Sequence, residues 1–129
     1  MIVLDTHAWV WWVSKPEKLE KRARRAIDKA DRIGVAAISP WEVAMKARLG
    51  KLRFDRPPHV WIDDALADDP RTALLLLSPR IAVDAADLSW DHADPADRFI
   101  VATARAHDAA LITADERICE SGLVRCVWD

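Results

Sequence analysis

The sequence predicts an α/β protein, an α/β/α sandwich around a central, mostly parallel five-stranded sheet. Short apolar runs alternate with helical patterns along the chain, the signature of strands joined by covering helices. The first four runs are near-continuous in Val, Ile, Leu and Ala rather than alternating, as expected of strands covered on both faces. At 129 residues the chain is read as a single domain, 1–129, able to bury roughly two-thirds of its unfolded surface in one core.

The expected strands are Ile2–Asp5, Ile33–Ile38, Ala73–Leu77, Ala110–Thr113 and Val124–Val127. A Trp-rich first helix follows the first of them. In the second helix Leu19, Ala23, Ala26, Ile27 and Ala30 form one apolar stripe. The third is expected to start at Ser39-Pro40-Trp41-Glu42 with Ser39 as N-cap, and to stop near Gly50. A fourth follows Pro57-Pro58 and packs through Trp61, Ile62, Ala65 and Leu66, and a fifth follows Ser78-Pro79 with Ile81, Ala85 and Leu88 on one side. Asp94-Pro95-Ala96-Asp97 opens a sixth, and a short last helix spans about Ala114 to Glu120.

Composition narrows the function classes. No apolar run approaches the ~18 residues a membrane span needs, and the opening residues do not read as a secretory leader. Cys119, in a helix, and Cys126, in a strand, form no framework and are read as free thiols of a reducing cytoplasm. Net charge is −2, so any nucleic-acid binding must come from local patches. One basic stretch runs from Lys15 to Arg32, interleaved with acids; a second holds Lys46, Arg48, Lys51, Arg53 and Arg56. Each taken alone reads as a solvated face.

The chemistry is carried by acids. In open parallel sheets ligands bind beyond the carboxyl ends of the strands. Asp5 ends the first strand, Glu42 follows the second, Asp97 opens the helix leading to the fourth, and Asp115 follows the fourth. Singly, each has a local explanation. Ser39 with Glu42, and Thr113 with Glu116, spell capping boxes; Asp94 suits an N-cap, Asp97 and Asp115 suit first turns, and Glu42 suits an i, i+4 pair with Lys46. Together they are another matter. Like charges ~4 Å apart repel by about 4 kcal/mol at an effective dielectric of 20, and capping alone gives no reason to accept that. Mg²⁺ or Mn²⁺, which take hard oxygen ligands, would.

Four blocks then carry a resemblance: Leu4-Asp5-Thr6-His7-Ala8, Ser39-Pro40-Trp41-Glu42-Val43-Ala44-Met45-Lys46 with Gly50-Lys51-Leu52, the run from His92 to Ala104, and Leu111-Ile112-Thr113-Ala114-Asp115. In this order and spacing they resemble the PIN-domain family, specifically VapC-type toxins of bacterial toxin–antitoxin pairs. The resemblance spans essentially the whole chain. It implies a PIN-like fold, Mg²⁺- or Mn²⁺-dependent endoribonuclease activity, a cognate antitoxin and a homodimer. By position it implies Asp5, Glu42, Asp97 and Asp115 as the acidic quartet, with Thr6, Thr113 and Asp94 supporting. Ala96 stands where many relatives carry Phe.

The remaining features are weighed on their own. His7, His59, His92 and His107 lack zinc-ligand spacing; His92, five residues before Asp97, is within reach of the acidic edge, but a loop or capping role is the stronger expectation. Lys46, Lys51 and Arg53 are the expected RNA-backbone contacts. Seven tryptophans occur with no tyrosine. Trp9 is expected in the core, and at least one of Trp11 and Trp12 is expected to face a partner chain. Two other readings stay open: an idle binding module on the same fold, and a phosphoacceptor receiver domain. The latter wants an acidic pair after the first strand, where Asp5 stands alone.

Overall fold

The computed structural model describes residues 1–129. Five strands, β1 (Ile2–Leu4), β2 (Ile33–Ala36), β3 (Thr72–Leu75), β4 (Ala110–Ile112) and β5 (Cys126–Val127), form one sheet in the order β3-β2-β1-β4-β5, every pair parallel. The helices are α1 (Thr6–Ser14), α2 (Lys21–Lys29), α3 (Ile38–Arg48), α4 (Pro58–Asp68), α5 (Pro79–Asp87), α6 (Pro95–Ala106) and α7 (Glu116–Glu120), with a short 3-10 turn at Pro16–Lys18. None is long and apolar enough to cross a membrane.

Alternation along the strands sorts the core into two layers. Leu4, Ile33, Val35 and Ile112 face a cluster with Ala8 and Trp9 of α1, Ala23 and Ile27 of α2, Val43 of α3, and Trp61 and Ala65 of α4. Val3, Ala36, Leu75 and Leu111 face the opposite cluster with Ile100, Val101 and Ala104 of α6 and Ile118 of α7. Each face of the sheet thus buries its own side chains under its own helices, the expected sandwich. At Gly34 the sheet admits no side chain without a shift. A Cβ there would lie 2.5 Å from Leu75 Cδ1.

Several local expectations need correction. β3 is an edge strand and is not covered on both faces: Leu74 is 43% exposed, and Leu76 and Leu77 beyond it are also open to solvent. The second apolar run stops at Ala36, and Ile38 is already helical. α3 therefore begins before Ser39, after Ala37 in a helical conformation with no side-chain cap. Ser39 is buried within the first turn and bonds Thr6, so the Ser39–Glu42 capping box does not form. Gly50 does end that segment with φ +74°, a left-handed conformation glycine adopts without strain.

The other helix starts follow local rules. Asp5, Ser78, Asp94 and Asp115 are N-caps whose side chains accept backbone N–H groups of α1, α5, α6 and α7. Asp115, not Glu116, caps α7, so the second capping box is replaced by a direct cap. At the other end of α2, the Arg71 guanidinium donates to the carbonyls of Ile27, Asp28 and Ala30 while paired with Asp69. That satisfies C-terminal carbonyls from a residue more than forty positions away.

Candidate active site

Strand order places the site. From β1 the chain moves outward through β2 to β3, then crosses back to β4 on the other side of β1. Beyond the carboxyl ends of β1 and β4 the connections diverge, leaving the crevice that parallel sheets use for ligands. Asp5 follows β1 and Asp115 follows β4, one on each side of it. Glu42 enters from α3 and Asp97 from the first turn of α6. All four line a single cavity of about 710 Å³, together with Thr6, Asp94, Lys46 and Lys51.

Hydroxyl groups hold the acids in place. Thr113 Oγ1 donates to Asp5 Oδ2 at 2.6 Å and accepts the Asp115 backbone N–H at 3.0 Å, tying together the segments after β1 and β4. Asp5 Oδ1 accepts the Thr6 N–H at 2.8 Å. The Thr6 hydroxyl donates to Glu42 Oε1, so Ser39 donates its own hydroxyl to Thr6 at 2.9 Å. Lys46 Nζ lies 3.6 Å from the other Glu42 oxygen, the expected i, i+4 pair. Asp5 and Glu42 are 4% and 6% exposed, which fixes their rotamers far more tightly than a surface acid's. Thr6 and Thr113 thus each donate a hydroxyl hydrogen to one of these carboxylates.

Two histidines reach the acids, His92 from five residues before Asp97 and His7 without any spacing signal. His7 Nε2 accepts the Ala114 N–H at 3.1 Å, which leaves the ring proton on Nδ1, 3.4 Å from Asp5 Oδ2. His92 lies in the loop before α6, as expected, and its Nε2 is 2.6 Å from Asp97 Oδ2. The segment carrying His92 is clamped by Arg98. All five guanidinium hydrogen-bond positions are used, on the carbonyls of Ala85, Ala86, Leu88, Trp90 and His92. These contacts join residues near in sequence but separated by a loop, so no periodic signal marks them.

The electrostatics bear out convergence in part. Burial first, and then the charges of Asp5, Asp94 and Asp115, together raise the Asp97 carboxyl from its ordinary 3.8 to about 6 against the lowering effect of His92. Desolvation is thus the larger cause and repulsion between acids the smaller.

The donor set fits a hard divalent cation. His92, Asp94 and Asp97 can each present a ligand atom within 4.8 Å of the others, so Asp97 is the member of the expected quartet in this group, while Asp5, Glu42 and Asp115 line the same cavity.

Not every expected residue arrives. Arg53 does not line this cavity; it lies with Phe54 and Leu52 beyond the end of α3. Trp11 and Trp12 are half-buried against the core, with the Trp11 ring against His7 and Trp128. The exposed tryptophan is Trp41, 55% accessible at the cavity wall. Arg117, Met45 and Phe99 also line the cavity. Ala96 is buried at the cavity wall.

The PIN-domain family model matches residues 2–122 of this chain, nearly its whole length. The chain belongs to the PIN-domain family. Ribonuclease VapC22 of Mycobacterium tuberculosis is 38% identical to this PIN domain over 118 residues, 91% of this chain and 88% of that protein. Solved structures share the fold at lower identity. VapBC2 of Rickettsia felis, bound to a DNA fragment from its promoter, matches with a TM-score of 0.70 at 18% identity over 100% of both chains. VapBC-1 of nontypeable Haemophilus influenzae matches with a TM-score of 0.69 at 17% identity, over 98% of this PIN domain and 96% of that chain.

Proposed function

We propose that this protein is a metal-dependent endoribonuclease, the toxin of a toxin–antitoxin pair, with Asp5, Glu42, Asp97 and Asp115 as its catalytic and metal-binding acids. The observation that carries the reading is the convergence of these acids, from four separate elements, on one cavity at the switch point of the sheet. Similarity to Ribonuclease VapC22 supports RNA as the substrate.

A Mg²⁺ or Mn²⁺ ion bound by these oxygens would polarise a phosphoryl oxygen, lower the pKa of the attacking water and neutralise the leaving oxyanion. The chain's own residues supply position and charge. Thr113 and Thr6 orient Asp5 and Glu42. His92 holds Asp97, and Arg98 holds the His92 segment in turn. Lys46 and Lys51 offer cations to the RNA backbone at the cavity edge.

The proposal extends to a cognate antitoxin, supported by toxin–antitoxin complexes among the structural neighbours, and to a homodimer in the cytoplasm, each chain a single domain. What Trp11 and Trp12 leave exposed is included in the partner surface. An idle binding module has no use for Asp97 held beside Asp5, Asp94 and Asp115, whose charges act against its ionisation. Incubation with total cellular RNA in Mg²⁺, Mn²⁺ or EDTA tests the central reading. Cleavage with either metal and none in EDTA is expected, and full activity in EDTA would sink it.

A further inference from the structure

We infer that the Trp41 indole is a stacking platform for an unpaired base beside the phosphate to be cut; this rests on the ribonuclease reading. Five of the seven tryptophans, Trp9, Trp11, Trp61, Trp90 and Trp128, pack against another aromatic ring within the chain. Trp41 has no such partner, although its neighbour Glu42 is buried among the acids. On α3, Ile38 lies three residues before Trp41 and Met45 four after it, so the three share one helix stripe. All three line the cavity, giving it an apolar wall with an aromatic ring at its centre.

The chemistry beside that wall favours a nucleic acid. Lys46, Lys51 and Arg117 line the same cavity, so cations for the sugar–phosphate backbone flank a flat apolar surface for a base. This combination recurs where proteins bind single strands. A base inside a duplex already has its faces covered by its neighbours, so only an unpaired one offers a face to Trp41. Because Trp41 lines the same cavity as the four acids, the stacked base belongs to a nucleotide near the scissile position.

The test compares wild type, Trp41→Ala and Trp41→Phe in EDTA, where nothing is cut, with three probes. These are a short single-stranded oligoribonucleotide, the same strand annealed to its complement, and an abasic strand of equal length and charge. Acid–phosphate repulsion is common to the two single strands, so it cancels in their comparison. Wild type should bind the base-bearing strand about 5- to 100-fold more tightly than the abasic one. Trp41→Ala should abolish that preference and Trp41→Phe should keep much of it, with melting curves confirming that both variants fold. With Mn²⁺, Trp41→Ala should raise KM more than it lowers kcat. An undiminished base preference in Trp41→Ala overturns the inference, as does duplex binding equal to single-strand binding. Trp41→Ala that keeps its base preference but loses the antitoxin would make this rim a protein surface instead. If wild type cuts no RNA with Mn²⁺, the ribonuclease reading falls and this inference with it. If it does cut while Trp41→Ala keeps full base preference, only the inference falls.

Discussion

Asp97→Asn is the perturbation that most directly measures convergence of the acids. In the metal-free protein the Asp97 carboxyl is raised from 3.8 to about 6, chiefly by burial and further by Asp5, Asp94 and Asp115. The folded chain therefore holds a proton that the unfolded chain releases between those values. The stabilisation is full below about pH 4 and is lost as pH rises through about 6. A shift of about two units corresponds to about 3 kcal/mol. Asparagine keeps the size and polarity but never ionises, so at neutral pH it escapes that loss. Against this stands the favourable first-turn charge Asp97 gives α6, worth up to about 1 kcal/mol. A net gain of about 2 kcal/mol remains, or a melting temperature about 5–10 °C higher in EDTA. Mn²⁺ should reverse the ranking, because an ion held at 100 times its Kd stabilises wild type by about 2.7 kcal/mol, and the variant has lost a ligand. Melting curves of both proteins at neutral pH and at about pH 4, with EDTA and with Mn²⁺, decide it. An Asp97→Asn protein less stable than wild type in neutral EDTA, with an equal response to Mn²⁺, would refute the reasoning and leave Asp97 as a helix-start residue only.

Asp5→Asn should lower RNA cleavage by about 10²-fold or more while the protein still melts cooperatively, since it removes charge at the centre of the site; near-normal turnover by purified variant would count against the quartet. Charge reversal of Lys46 and Lys51 should reduce the salt dependence of RNA binding by about 0.7 in log–log slope for each lost contact, whereas reversal of Arg53, outside the cavity, should leave the slope unchanged. Arg98→Ala strands five carbonyls and should lower stability by about 3 kcal/mol or more, read as a drop in denaturation midpoint, with cleavage impaired because His92 and Asp97 lose their support. Trp11→Ala or Trp12→Ala should weaken antitoxin binding or dimerisation more than RNA cleavage; unaltered association with a lowered melting temperature would make these rings core only.

What the sequence determined by itself was everything written in short-range pattern. The apolar runs specified five strands because a strand sandwiched between helices must be apolar on both sides, and helix stripes such as Ala23 and Ile27 specified the covering faces. Asp5, Asp97 and Asp115 stand at a strand end or helix start, places fixed by neighbours a few residues away, whereas Glu42 lies in the second turn of α3, beyond the first-turn place its local pattern suggested. The tertiary structure decided which of several local bonds each polar group makes. Ser39 and Glu42 carry a capping pattern, yet both bond Thr6, more than thirty residues away, and the start of α3 moves accordingly. Similarly, His92 turned to Asp97, and Arg98 gathered carbonyls from the end of α5 and from the loop leading to α6, because the fold brought those groups within reach. Among the tryptophans the sequence could not choose. A helix rich in them looks outward-facing until Trp128, from the end of the chain, and the core cover much of it, while a single tryptophan beside Glu42 looks ordinary until the cavity opens beside it. Exposure is a property of what else is packed nearby, and that is set only once distant segments meet.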